Sequence, residues 1–156
     1  MKKTNTMRIL DSSKLEYEIK EYLEKDGISG LEVANNLNED PNTVFKTLVT
    51  YGKDENYVFA VPVVSELDLK KAAVSSKEKK IEMLPQKELF KKTGYVHGGC
   101  SPIGMKKQFQ TFIDKSALDR EYIYISGGKI GMQIKIKPQE LAELIDAKFV
   151  DITKES

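Results

Sequence analysis

The apolar positions of this chain switch repeatedly between the two-residue period of a strand and the longer period of a helix. Residues 4–13 read as a helix, and Leu15, Tyr17 and Ile19 then alternate with charged residues up to Tyr22, which predicts a strand. Ser29 and Glu32 have capping-box spacing and open a short helix with Leu31, Ala34 and Leu37 on one side. Asp40 before Pro41 reads as an N-cap followed by proline in the first turn. Residues 44–51 and 57–64 read as strands joined by a turn over 52–56, and Pro62 points to an edge or a bulge. Residues 65–68 cap a helix bearing Leu67, Leu69, Ala72 and Ala73. A short strand follows at 80–83, and a helix starts at Pro85 and stops at Gly94. Residues 98–104 are a loop rich in glycine. Strands are expected at 109–114, 122–126 and 132–137, with 127–131 turning the chain between the last two. Pro138 begins the last helix, and 148–152 is a candidate final strand.

Six to eight strands and four to five helices in this order make a mixed α/β (α+β) fold. The hairpin-like spacings predict a single mixed, mostly antiparallel twisted sheet or partial barrel with helices packed around it. No linker or repeat divides the chain, so residues 1–156 are expected to form one domain.

Composition narrows the function classes. Forty per cent apolar residues and a mean hydropathy of -0.43 describe a soluble globular chain with enough side chains for a core. A single cysteine, Cys100, forbids an internal disulfide, and with one histidine, His97, a Cys/His metal site is not expected. No cofactor is expected either. The basic start lacks the apolar segment of a signal peptide, and no apolar run is long enough for a membrane span, so a cytoplasmic location is expected. The 25 basic and 24 acidic residues nearly cancel, so any contact with RNA should be local.

The common catalytic signatures are missing. There is no Gly-x-Ser-x-Gly elbow, no His-Glu-x-x-His and no Cys-x-x-Cys. Gly127-Gly128-Lys129 resembles a phosphate loop only briefly, because Ile123 and Ile130 stand where a Walker A needs glycine and Ser or Thr. Three constellations remain. Lys46 lies in a strand apolar on both faces, where an ammonium needs water or an anion. Its stem snorkels to the sheet edge, or its charge sits at the floor of a cleft and holds a phosphate or carboxylate. Gly98-Gly99-Cys100-Ser101-Pro102-Ile103-Gly104 either makes an ordinary turn or offers backbone N–H groups to an anion. Ser101 either donates to a ligand or closes its own turn. Ser126-Gly127-Gly128-Lys129-Ile130-Gly131 is a hairpin loop that also suits a phosphate or ribose contact. The lysine runs at 70–71, 77–80, 91–92 and 106–107 are solvated faces, or an RNA track if several align.

In order, these segments resemble the free-standing Cys-tRNA(Pro) deacylases of the YbaK/EbsC family. Val44-Phe45-Lys46-Thr47-Leu48 is similar to the family's (V/I)-(F/Y)-K-T-L strand, and Leu67-Asp68-Leu69-Lys70-Lys71 to its LDLKK helix. Thr93-Gly94-Tyr95 with Gly98-Gly99-Cys100-Ser101-Pro102-Ile103-Gly104, then Ser126-Gly127-Gly128-Lys129 and Asp146-Ala147-Lys148-Phe149, complete a match over about residues 5–153. The resemblance implies an aminoacyl-tRNA trans-editing enzyme that binds the acceptor end of tRNA(Pro) and meets prolyl-tRNA synthetase transiently. It implies that Lys46 is the essential lysine, on the phosphate of the terminal adenosine. Gly99 and Ser101 would take part in catalysis, and Gly98, Cys100 and Pro102 would line the pocket loop. Tyr22, Ser126, Gly127, Gly128, Lys129 and Gln133 would sit near the substrate. In the family's chemistry the substrate's own thiol attacks its ester, so the enzyme needs no nucleophile, only orientation and oxyanion stabilisation. Two positions depart from the family pattern: Gln133 stands where many members carry aspartate, and Cys100 replaces an aliphatic residue. They leave open another mischarged tRNA (Ala, Ser or Thr), or a protein that binds aminoacyl-adenosine without cleaving it.

Overall fold

The structure, a computed structural model, describes residues 3–22 and 30–155. Among the described residues the helices are α1 (Asn5–Ser13), α2 (Gly30–Leu37), α3 (Leu69–Ser76), α4 (Gln86–Thr93) and α5 (Pro138–Ile145). The strands are β1 (Glu18–Glu21), β2 (Phe45–Tyr51), β3 (Asn56–Pro62), β4 (Glu82–Met83), β5 (Gln110–Asp114), β6 (Ile123–Ser126), β7 (Met132–Ile136) and β8 (Lys148–Val150). No described helix is long and apolar enough to cross a membrane.

The mixed α/β class holds, with antiparallel pairs joined by parallel β3–β5 and β5–β8 pairings. The expected single sheet is instead two, with strand orders β1-β7-β6 and β4-β2-β3-β5-β8. One bridge, Val44 to Tyr124, links them. The separation has a local cause. β6 ends at Ser126, before two glycines, so β2 runs on beyond it and takes β4 as its next partner at Thr50 and Tyr51.

Other expectations shift by small amounts. Pro62 lies on a central strand, not an edge, but it is the last residue of β3. β5 pairs only with Tyr57 to Ala60, so no neighbour needs the N–H that proline lacks. Asp40 does cap, accepting from the Asn42 N–H, but the turn it opens is one 3-10 turn, Pro41–Thr43. Asp68 accepts the N–H groups of Lys70 and Lys71 and so starts α3 after Leu67, which instead bridges to Thr153. The proposed Ser29 cap lies outside the described residues. At α4 the prediction and the structure coincide, with Gly94 at φ 85 ending the helix.

Strand alternation decides where the core sits. Ile123 and Ile125 on β6, and Ile134 and Ile136 on β7, face α1 and α5 and join Met7, Leu10 and Leu141 in one cluster. Each such fully buried side chain contributes on the order of 2 kcal/mol. The intervening residues, Tyr124, Ser126, Gln133 and Lys135, necessarily face the other way. That second face carries the candidate site.

Candidate functional site

The polar face is assembled by register. Lys20 lies opposite Gln133, and Gln133 opposite Ser126. Directly opposed residues share a face. The Val44–Tyr124 bridge carries this face onto β2, where Lys46, two residues beyond Val44, projects from it as well. Helix α2 lies over part of it, with Val33, Ala34 and Leu37 against Val44, Tyr124, Tyr22 and Val63. The Tyr124 hydroxyl donates to Glu39 Oε1 at 2.7 Å and fastens the residues after α2 to β6. Ser126 and Gln133 are buried, at 8% and 6% exposure. Tyr22, Lys46, Ser126 and Gln133 are thereby brought to one face.

Lys46 is half-buried, opposite Val61 on β3. Its face neighbours Val61 and Leu48 belong to an apolar cluster. Burial lowers its pKa from the ordinary lysine value, and the Glu66 carboxylate partly offsets this. Glu66 is itself paired with Lys154 at 3.2 Å. Lys46 thus keeps an ammonium in partly apolar surroundings with only a shared counter-ion, the situation that favours an incoming phosphate.

The two glycine-rich loops meet at Gly99. A Cβ there would stand 2.9 Å from Ile130 N and from Lys129 Cα, so a side chain has no room between the backbones. Gly128 has φ 101, a left-handed conformation that favours glycine. Gly127 closes the turn by donating its N–H to Met132 O at 2.9 Å. Ser126 Oγ accepts the Gly128 N–H at 3.2 Å. The Tyr22 N–H donates to Gly131 O at 3.0 Å, which ties the end of β1 to the same loop. Lys129 is exposed beside it.

Two side chains of the first loop, Cys100 and Ser101, turn into the fold. The Cys100 thiol packs among Val49, Val58, Tyr95, Met105 and Phe109, so it faces the core and only its backbone remains available. Burial pushes this thiol up to about 11. It should therefore resist alkylation by iodoacetamide at neutral pH until the protein unfolds, and labelling at the rate of a free thiol would contradict that placement. Ser101 is fully buried, and its Oγ accepts the Ile103 N–H at 3.1 Å, closing its own turn. Pro102 is buried, while Gly98 is exposed with φ 86. Val49, which touches the Cys100 cluster, lies on the opposite face of β2 from Lys46. The Cys100 side chain therefore packs on the opposite face of β2 from Lys46, while Gly99 borders the 126–131 loop.

Two features had no place in the expected site. Thr47 Oγ1, on the face of β2 opposite to Lys46, is buried without a hydrogen-bond partner among the described residues. Its signal was a hydroxyl on an apolar face of a buried strand. The start of α1 clamps both loops. Thr4 Oγ1 donates to Gly127 O at 2.5 Å, and Asn5 Nδ2 donates to Gly104 O at 2.8 Å. Thr6 Oγ1 and Tyr95 Oη lie 2.9 Å apart, and both reach Ile103 O, at 3.1 and 2.6 Å. Amphipathicity hid this role, because polar residues at a helix start usually serve only as caps.

Comparison with known proteins bears on the family and the fold. The family model for the aminoacyl-tRNA editing domain matches residues 28–144. The chain is 45% identical over 153 residues to EbsC of Enterococcus faecalis, whose name proposes a Cys-tRNA(Pro)/Cys-tRNA(Cys) deacylase; the match covers 97% of this chain and 93% of that protein. A solved structure proposed as a trans-editing enzyme for prolyl-tRNA synthetase superposes with TM-score 0.86 at 21% identity, covering 99% of this chain and 100% of that one. A scaffold used for computational epitope grafting superposes with TM-score 0.88 at 22% identity, covering 97% of this chain and 96% of its own. At such identities these two structures speak for the fold alone. The family match and the likeness to EbsC go further: this chain belongs to the aminoacyl-tRNA editing domain family.

Proposed function

We propose that this protein is a cytoplasmic trans-editing deacylase, one editing domain that releases cysteine from mischarged Cys-tRNA(Pro) and meets prolyl-tRNA synthetase transiently. The observation that carries the reading is the 45% identity to EbsC over nearly the whole chain. The site is consistent with it, since Lys46 shares a face with the buried Ser126 and Gln133. In this reading the Lys46 ammonium holds the phosphate of the terminal adenosine as a point charge. Tyr22 and the loop from Ser126 to Lys129 flank the nucleoside. The substrate thiol attacks the ester carbonyl; a carbon–sulfur bond forms and the bond to the ribose oxygen breaks. That oxygen leaves with the thiol proton, and water then opens the cyclic thiolactone to cysteine. Backbone N–H groups of the loop on either side of Gly99, whose own N–H donates to Val96 O at 3.0 Å, stabilise the developing oxyanion, with the Ser101 turn holding their direction.

Gln133 has a buried amide oxygen with no hydrogen-bond partner among the described residues. The reading assigns it to the substrate's ammonium. Gln133→Leu removes an unsatisfied polar atom, so stability should be unchanged or higher. Deacylation should fall by roughly 10-fold, the loss of one charge-assisted hydrogen bond. Parallel thermal melts and single-turnover rates check both halves; lower stability with full activity would contradict the assignment.

The mechanism is tested by comparing Cys-tRNA(Pro) with Ala-tRNA(Pro), which lacks the thiol. Cysteine should be released much faster. Equal rates would mean that water, not the substrate sulfur, attacks the ester.

A further inference from the structure

Two of the lysine runs are joined by the fold. Lys106 donates its backbone N–H to Thr93 O at 2.9 Å, and its Nζ approaches Lys91 O at 3.4 Å. The same Nζ stands 5.4 Å from the centre of the Phe90 ring, and Phe90 is 58% exposed. Lys106 thus lies against the end of α4, with Lys107 following it in the chain, and α4 itself carries Lys87, Lys91 and Lys92.

Along the chain, positive charge is concentrated here, although Lys92 lines a groove with Asp54, Glu55 and Glu88. Residues 86–108 hold five lysines and one acid, Glu88, whereas the whole chain has 25 basic and 24 acidic residues. Acids therefore outnumber bases everywhere else taken together. Lys71, Lys80, Lys115 and Lys154 elsewhere each have a carboxylate within 4.0 Å. Among the described residues, Lys87, Lys91, Lys92 and Lys107 form no such pair, and all four are exposed. The patch is also continuous with the candidate site. From Gly94 the chain runs through exposed Val96 and His97 directly to Gly98 and Gly99, which abut Lys129 and Ile130.

We propose that Lys87, Lys91, Lys92, Lys106 and Lys107, with Phe90 among them, form a docking surface for the phosphodiester backbone of the RNA whose aminoacylated end enters the site. Unpaired lysines bind phosphates by releasing counterions, and an exposed aromatic ring offers a stacking platform to an unpaired base. An acidic protein surface would use the charge but not the ring. The proposal rests on the editing function only for the identity of the RNA.

The test is the triple variant Lys91→Gln, Lys92→Gln, Lys107→Gln. These side chains are exposed and contribute to no core cluster, so the fold should be retained. Affinity for uncharged tRNA(Pro) is measured as a function of salt. The slope of log affinity against log salt should fall by about 2–3 in magnitude, from roughly 0.7–0.9 per lost phosphate contact. Release of cysteine from a Cys-CCA trinucleotide should be unchanged, because that substrate is too short to reach the patch. An unchanged salt slope would overturn the proposal, as would an equal loss on the trinucleotide. Loss of binding to purified prolyl-tRNA synthetase with the tRNA slope intact would assign the patch to protein and overturn it too. Because binding is read with uncharged tRNA, a chain that fails to cleave either substrate would refute the deacylase reading while still reporting on this surface.

Discussion

Lys46→Met is expected to remove most deacylase activity while leaving the protein at least as stable as before. The ammonium sits on a face shared with Val61 and Leu48, where burial disfavours its charge. A methionine of similar length suits that surface without the desolvation cost. Activity moves the other way, because a neutral side chain cannot hold a phosphate. Loss of a charge-assisted contact of about 1.5–3 kcal/mol corresponds to roughly 10- to 150-fold in kcat/KM. A lysine kept for structure would show the reverse, full activity with lower stability.

The pH dependence gives a second signature of the same residue. The Lys46 pKa in the folded protein lies below its ordinary value of 10.5. Between those two values the unfolded chain binds more protons than the folded one, so stability rises with pH across that window. Below it, the folded protein carries the full cost of a partly buried charge. The stability advantage of Lys46→Met should therefore be largest at neutral pH and disappear as pH passes 10.5. Deacylation should decline on the alkaline side before an ordinary lysine titrates. Thermal melts of both proteins across alkaline pH check the sign; an advantage that grew with pH would contradict it.

Gly99→Ala should be nearly as damaging, for a steric reason. The new methyl would meet Ile130 N and Lys129 Cα at 2.9 Å, and these are backbone atoms that cannot rotate away. The loops must separate, although Thr4 and Asn5 hold them from the side of α1. A strain of about 1–3 kcal/mol is expected in stability. Activity should fall further, on the order of 100-fold, because the displaced backbone donors no longer meet the reacting oxygen. Near-normal turnover in a protein with a lowered melting temperature would show that the contact serves folding only.

How much of this was legible beforehand varied with the kind of signal. Helix α4 was readable because proline opens it and a glycine with positive φ closes it. The alternation of β6 and β7 was readable because isoleucines mark one face so clearly. Pairing was not readable, since a period of two says which residues share a face but not which strands are neighbours. That is why the separation of β1-β7-β6 from the larger sheet emerged only with the structure. Leu67 falls outside the helix that residues 65–68 predict because Ser65 and Asp68 are both good caps, and only the hydrogen bonds to Asp68 decide between them. Cys100 and Ser101 were hardest, since a loop has no period from which side-chain direction can be inferred. The core cluster around Tyr95 turns the thiol inward.

The central claim is that this chain edits proline transfer RNA in trans, and the most direct measurement is the rate at which purified protein deacylates Cys-tRNA(Pro) and Pro-tRNA(Pro) side by side. The account predicts rapid release of cysteine, with proline left on its tRNA at the uncatalysed rate. Release of proline at a comparable rate, or no release of cysteine, would contradict it.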